Sequence, residues 1–288
     1  MKRRIVLNIL ACLFVCIFAA CSSAPKNPGD IFTMRNQAEE GLINANKEAG
    51  QGNTERALTL LTEYKKQAIL TDDPSLIIRI CLARGNVLFT LGRTEEAYNE
   101  WEQAITEAKR FGSDELLSVS LIFKARGNLF SGRASSQTVL DEVNRESINI
   151  KNDKLFIAFS WQVKGLCLRD MGSFKEAEDA FKRSLEIHEK DRYLENASYD
   201  WYTIASIRSL AGNTLGALEA LDEAIKIDRR IENSWGLACS YRARGDVLRK
   251  MGRNLEAVTE YRRARDIFEA LGSNYEVAQI DTRIKEIQ

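Results

Sequence analysis

The stretch Trp161-Gln-Val-Lys-Gly165-Leu-Cys-Leu-Arg-Asp-Met-Gly172-Ser-Phe-Lys-Glu-Ala177-Glu-Asp-Ala-Phe181-Lys-Arg-Ser184 decides the fold. A bulky ring precedes a tiny residue by one helical turn. A glycine follows, and then a small, a large and a small side chain at helical spacing. Forty residues later the series is Trp201, Ala205, Gly212, Ala217, Leu221 and Ala224. Forty later again it is Tyr241, Gly245, Gly252, Ala257, Tyr261 and Ala264. In the other direction the glycine column runs through Gly132 and Gly92 to Gly52, and the alanine column through Ala97 to Ala57, with Gln137 its exception. A period this regular means one supersecondary unit stacked about six times, each unit burying its apolar face on its neighbours.

Each unit reads as one helix before the grid glycine and one after it. The pattern predicts pairs at 31–49 with 54–69, 74–91 with 94–111, 114–131 with 136–149, 153–171 with 174–190, 193–211 with 214–231, and 234–251 with 254–270. A closing helix follows from about 274, making thirteen. Only Pro25, Pro28 and Pro74 are present, so nothing interrupts the helices. The glycines end first helices, where a left-handed residue is wanted. Asp73-Pro74 reads as a capping acid before a first-turn proline. Ser173–Glu176 and Ser273–Glu276 fit the capping-box spacing. The third unit departs from the rest, with Gln137, Asp141 and Asn144 at core columns. Its buried face is expected from Val139, Leu140 and Val143 in a shifted register.

The series resembles the tetratricopeptide repeat (TPR) over nearly all of 31–288. The resemblance implies an all-α, right-handed α-solenoid of about six helix pairs plus a C-terminal capping helix. The period here is 40 rather than about 34, and the proline that usually ends the second helix is missing, so longer helices are expected.

Residues 1–20 resemble a lipoprotein signal peptide. Lys2, Arg3 and Arg4 precede an apolar run, Ile5 to Ala20, that is too short to span a bilayer. Phe18-Ala19-Ala20-Cys21 resembles a bacterial lipobox, which implies acylation of Cys21 and membrane attachment through its acyl chains. An ordinary signal peptide cut after Ala24 is the alternative. Residues 21–30 read as a linker, and 31–288 as the solenoid. Ser22 in the second position resembles lipoproteins sent to the outer membrane, which gives a cell-envelope, periplasmic-face location.

Lys and Arg number 41, as do Asp and Glu. Without the three N-terminal cations the balance is 38 basic to 41 acidic, which carries no electrostatic signature of nucleic-acid binding. His188, alone of its kind, falls on a helix flank as a bystander. Cys81, Cys167 and Cys239 lack zinc-ligand spacing and are expected as free, structural thiols, because remote repeats of a solenoid are expected not to touch. Gly127-x4-Gly132-Arg133 has phosphate-loop glycines but Arg for the needed Lys, after a helix rather than a strand. Glu178/Lys182, Asp179/Arg183 and Arg262-Arg263-Ala-Arg265 read as solvated helix faces. No cofactor, metal set or nucleophile–base pair emerges, so an enzyme is not expected.

TPR arrays bind peptides or partner segments in a concave groove lined by first helices, and the resemblance implies the same here. One stripe away from the inter-helix contacts lie Arg79, Leu82, Asn86 and Phe89; Phe159, Gln162, Leu166 and Arg169; Tyr199 and Tyr202; and Cys239, Arg242, Asp246 and Arg249. The candidate groove set is Arg79, Asn86, Gln162, Arg169, Tyr199, Tyr202, Arg242, Asp246 and Arg249. It does not match the Lys/Asn arrangement that clamps a C-terminal carboxylate in some TPR domains. The expected function is a lipid-anchored adaptor for a protein or peptide partner in an envelope complex. The alternative is a small-ligand-binding accessory subunit of an envelope transporter.

Overall fold

The computed structural model describes residues 33–287. The expected signal peptide, Cys21 and the linker lie outside the described residues. Thirteen α-helices run in order: α1 Met34–Gly50, α2 Thr54–Leu70, α3 Pro74–Thr90, α4 Thr94–Phe111, α5 Asp114–Phe130, α6 Ser136–Glu146, α7 Lys154–Asp170, α8 Phe174–Lys190, α9 Leu194–Leu210, α10 Thr214–Arg230, α11 Ser234–Lys250, α12 Asn254–Ala270 and α13 Asn274–Lys285. They pack as consecutive pairs, each second helix also touching the next first helix, which makes an α-solenoid. No described helix is long and apolar enough to cross a membrane.

The grid glycines end the first helices as expected. Gly172, at φ +79°, donates to the Arg169 carbonyl at 3.0 Å, and Ser173 N–H reaches back to Leu168 O at 2.9 Å. A left-handed residue is what permits both bonds. A second set of tight turns, between repeats, was not legible from the glycine grid. There Asp72, Arg192 and Glu232 hold φ of +49°, +62° and +57°, with Gly112 and Gly272 in equivalent places.

Asp73 caps α3 by accepting the Leu76 N–H at 3.0 Å. The expected capping boxes at Ser173 and Ser273 do not form, since neither side chain accepts a first-turn N–H. Each serine directly follows a left-handed glycine, and its ψ is 65° or 71°, well short of the extended value of 157° at the capping Thr33. Glu276 reaches Arg242 instead.

The core columns explain the 161–184 pattern. Ala57, Ala97, Ala177, Ala217 and Ala257 are fully buried, as are Leu61, Phe181, Leu221 and Tyr261. Phe181 and Tyr261 each seat on the glycine of the paired first helix. A β-carbon on Gly165 would fall 2.5 Å from the Phe181 ring, and one on Gly245 2.6 Å from Tyr261. Trp101 is too large for one seat and lies between Gly85 and Gly127, which accounts for the extra glycine of the third unit.

That unit is irregular as expected. Helix α6 stops after 11 residues and hands over to a 3₁₀ turn, Ser147–Asn149. Gln137, Asp141 and Asn144 are exposed while Val139 and Val143 are fully buried, so the helix has rotated its apolar edge inward.

One expectation about remote repeats is corrected. A β-carbon on Gly52, in the first repeat, would lie 2.5 Å from the indole of Trp235, in the sixth, and Gly50 faces Glu195 of the fifth. The solenoid has curled far enough to meet itself. Cys81, Cys167 and Cys239 are nonetheless unpaired.

Candidate partner-binding site

The curl leaves a hollow of about 460 Å³, lined by five first helices, α1, α3, α5, α7 and α9, and by His188 of α8. Its walls mix aromatic rings with isolated polar groups, the composition of a site that recognises rather than a core. Phe123, Phe156 and Phe159 form the apolar wall. Phe123 and Phe159 pack with centroids 4.2 Å apart.

The candidate groove residues divide into two groups. Arg79, Asn86, Gln162 and Tyr199 line the hollow. Arg79 donates to Asp153 at 2.6 Å, with its guanidinium over the Phe156 ring. Tyr199 is 45% exposed and free to meet a ligand. Gln162 is buried and already committed, donating its Nε2 to Asp200 at 2.7 Å. Phe89 and Leu166, from the same stripe, pack into the core.

The remaining candidates do not join that surface. Arg169 pairs with the adjacent Asp170 at 2.8 Å. Tyr202 is half-buried beside the α8–α10 core, and burial pushes its phenol above the usual range. Arg242 binds Glu276, Asp246 accepts from the Tyr261 hydroxyl at 2.6 Å and meets Arg283 at 3.3 Å, and Arg249 pairs with Glu286 at 2.7 Å. Helix α13 lies on the stripe of the last repeat and satisfies its charges. None of these residues lines the hollow, whose lining comes from the first five repeats.

Two features escaped the sequence reading. The first is a buried polar network. Asp200, fully buried, accepts from Gln162, from Ser184 Oγ at 2.9 Å and from His188 Nδ1 at 2.7 Å. His188 is thus a structural strut joining α8 to α9, not a flank bystander. The trio is not a hydrolytic triad. Ser184 and Asp200 crowd the same ring nitrogen, so the hydroxyl has no path for its proton to Nε2. A signal was available: the columns forty residues either side of Asp200 hold Ser160 and Ser240.

The second is Arg126. Its Nη2 donates to Asn86 Oδ1 at 2.7 Å, its guanidinium lies 5.1 Å from the Phe159 ring centroid and 5.7 Å from that of Phe123, and its Nε has no partner. Surrounding protein pushes its pKa below the ordinary arginine value, with the Tyr199 phenol acting weakly the other way. No group of three or more metal-ligating side chains occurs among the described residues.

Sequence models described as tetratricopeptide repeat match residues 160–191 and 200–270. Those two segments carry the tetratricopeptide pattern. Solved TPR-like structures extend the likeness of fold over most of the chain. A Rap protein complexed with competence and sporulation factor has a TM-score of 0.59 at 17% identity, covering 90% of this chain and 77% of that one. PlcR of Bacillus thuringiensis, in complex with the peptide PapR7 and DNA, has a TM-score of 0.59 at 18% identity, covering 70% of this chain and 73% of that one. PilW, a type IV pilus biogenesis factor, has a TM-score of 0.51 at 14% identity, covering 84% of this chain and 97% of that one. At these identities the TPR architecture alone is shared. No curated protein sequence matches the chain.

Proposed function

We propose that this chain is a lipid-anchored TPR adaptor, without catalysis of its own, that holds a protein or peptide segment in its hollow within a bacterial cell-envelope complex. The observation that carries the reading is the hollow: five first helices turn aromatic rings, Asn86, Arg126 and Tyr199 towards one space. That PlcR was captured with a peptide, and Rap with its factor, on similar folds adds support. Attachment rests on the lipobox ending at Cys21, where two or three acyl chains suffice and one is marginal. Ser22 favours the outer membrane.

A photo-crosslinking side chain in place of Tyr199 tests the adaptor reading against the same group in place of Lys226, on the outer helix α10. An envelope protein captured through 199 and not through 226 is the expected result. Capture through 226 alone would move the function to the outer face. For the anchor, Cys21→Ser should leave the membrane fraction and take up no labelled palmitate; a variant that stays bound and labelled ends that part of the reading.

The size of the hollow, about 460 Å³, favours a second reading, a small-ligand-binding accessory subunit of an envelope transporter, since it falls in the range of small-molecule sites.

A further inference from the structure

The first helices all begin at one edge of the solenoid, where the second helices end. That edge differs from its opposite. Where the first four repeats join, and at the start of α1, five large apolar side chains stand in solvent: Met34, Ile69, Leu70, Phe111 and Ile148, each 50–71% exposed. The turns inside the first three repeats show one, Phe130. The joining turns also expose Lys109, Arg110, Arg145, Lys151 and Lys154 against two acids, Asp72 and Asp114. Arg110, Arg145 and Lys154 each touch an acid yet keep side chains 79%, 69% and 58% exposed. The turns inside the same repeats balance Arg56, Arg93 and Arg133 with Glu55, Glu95 and Glu96. Helix dipoles favour cations in last turns, such as Lys109, Arg110 and Arg145. They do not account for the apolar side chains beside them, and an exposed cluster of that kind marks an interaction surface.

Trp235, at the start of α11, lies against Gly52, in the turn inside the first repeat. The sixth repeat therefore sits over the opposite edge of the first, and the turns joining the first four repeats form a free end of the coil. The chain enters the solenoid at this same end, through Thr33. Cys21 lies twelve residues before Thr33, a span of at most about 40 Å.

We propose that this end of the coil rests on an anionic phospholipid surface, with Leu70, Phe111 and Ile148 entering the head-group layer and Lys109, Arg110 and Lys151 meeting the phosphates. The proposal rests on the lipid-anchor reading, which brings that surface within reach. Apolar side chains flanked by Lys and Arg suit such an interface. Each cation adds an attraction that salt screens. The edge alone holds weakly, since even one acyl chain is marginal, so Cys21→Ser still leaves the membrane on washing.

The test places an environment-sensitive fluorophore on Leu70→Cys, Phe111→Cys or Ile148→Cys in the full acylated chain, with Leu255→Cys on the opposite edge as control. Each protein is reconstituted into vesicles of phosphatidylcholine with phosphatidylglycerol, doped with spin-labelled lipid. The expected result is strong quenching at 70, 111 and 148 and little at 255. Quenching at the three sites should weaken in phosphatidylcholine alone or at high salt. Equal quenching at both edges, or none at the three sites, in protein that sediments with the vesicles overturns the proposal and leaves the anchor standing. A blue shift at the three sites that grows with protein concentration and ignores lipid assigns the edge to a second copy, which also overturns it.

If Cys21 takes up no labelled palmitate, the anchor fails by itself and sedimentation decides the edge. The full chain with Cys21→Ser, at millimolar phosphatidylglycerol vesicles and low salt, should bind about tenfold or more better than the same chain also carrying Leu70→Ser, Phe111→Ser and Ile148→Ser. Equal binding of the two overturns the proposal. Both should melt alike, because the three side chains are exposed; a clear loss of stability would show that they serve the fold, and overturns it as well.

Discussion

The indole of Trp235 occupies the space where a β-carbon on Gly52 would fall, 2.5 Å away, so the first repeat of the solenoid is shaped against the sixth. Gly92 has the same role in the second repeat and the same left-handed φ, yet nothing lies within 4 Å of its β-carbon position. The pair makes an internal control. Asn at either site should cost about 1 kcal/mol for the left-handed conformation. Gly52→Asn should cost a further 1–3 kcal/mol, roughly, because Trp235 must move. The expected readings are a lower melting temperature for Gly52→Asn than for Gly92→Asn, and a larger radius of gyration by small-angle scattering for Gly52→Asn alone. Equal behaviour of the two variants would show that the contact does not hold the curl.

Arg192 and Glu232 hold φ of +62° and +57° in turns between repeats, where Gly112 and Gly272 do the same work without a β-carbon clash. Replacing Arg192 with Gly should raise stability by about 1 kcal/mol, the left-handed penalty less the added freedom of the unfolded chain. Chemical denaturation of the two proteins side by side measures it, and a loss of stability would show that the Arg192 side chain contributes more than its backbone costs.

Asp228 is buried with Asn233 donating to one oxygen and nothing donating to the other. Burial pushes its pKa up to about 6, with the Asn233 hydrogen bond opposing. The direction of the pH effect follows. Below about pH 4 both folded and unfolded chains hold the proton, and no penalty exists. As pH rises towards 6 the unfolded chain loses its proton first, so stability falls, and the full penalty persists at higher pH. Asp228→Asn should therefore stabilise at pH 7.5, on the order of 2 kcal/mol, and give no gain at pH 4. An equal gain at both would assign the effect to packing rather than charge.

Burial holds the thiols of Cys81 and Cys167 up at about 12 and that of Cys239 at about 11. Since the thiolate is the reactive form, a disulfide reagent at pH 8 should react with them only as fast as the protein unfolds. All three should appear at once in denaturant. Fast reaction of Cys239 in the native protein would show that the α11–α13 contact opens.

Much of this architecture was legible because a repeat makes six noisy readings of one pattern. Gly172, Ala177 and Phe181 could be checked against their sisters, and each buried column fell where the spacing put it. The failures came where the chain stops repeating locally. Whether Arg242 faces a groove or a neighbour depends on α13, and on Glu276 reaching it, which periodicity cannot see. The Gly52–Trp235 contact depends on how small rotations per repeat accumulate over five units. Arg126 was passed over because its column neighbours, Asn86 and Leu166, share no chemistry with it.

Asp200 gives the sharpest case of a column exception that the structure repairs. It replaces the serine found at 120, 160 and 240, and it accepts from Gln162, Ser184 and His188. His188 in turn stands where an earlier repeat has Ala108, so the two exceptions are partners across α8 and α9. Asp200→Ala should cost about 3–5 kcal/mol, since it strands several buried donors at once. His188→Ala alone leaves a buried carboxylate with two donors and opens a void, and should also be costly. Asp200→Ser with His188→Ala restores the pair that Ala108 and Ser120 form in the corresponding columns. Its loss should be smaller than the sum of the two single losses by about 1–3 kcal/mol, the range for residues in one network. The measurement is a double-mutant cycle by denaturant unfolding. Simple additivity would mean that the contact between His188 and Asp200 holds neither helix in place.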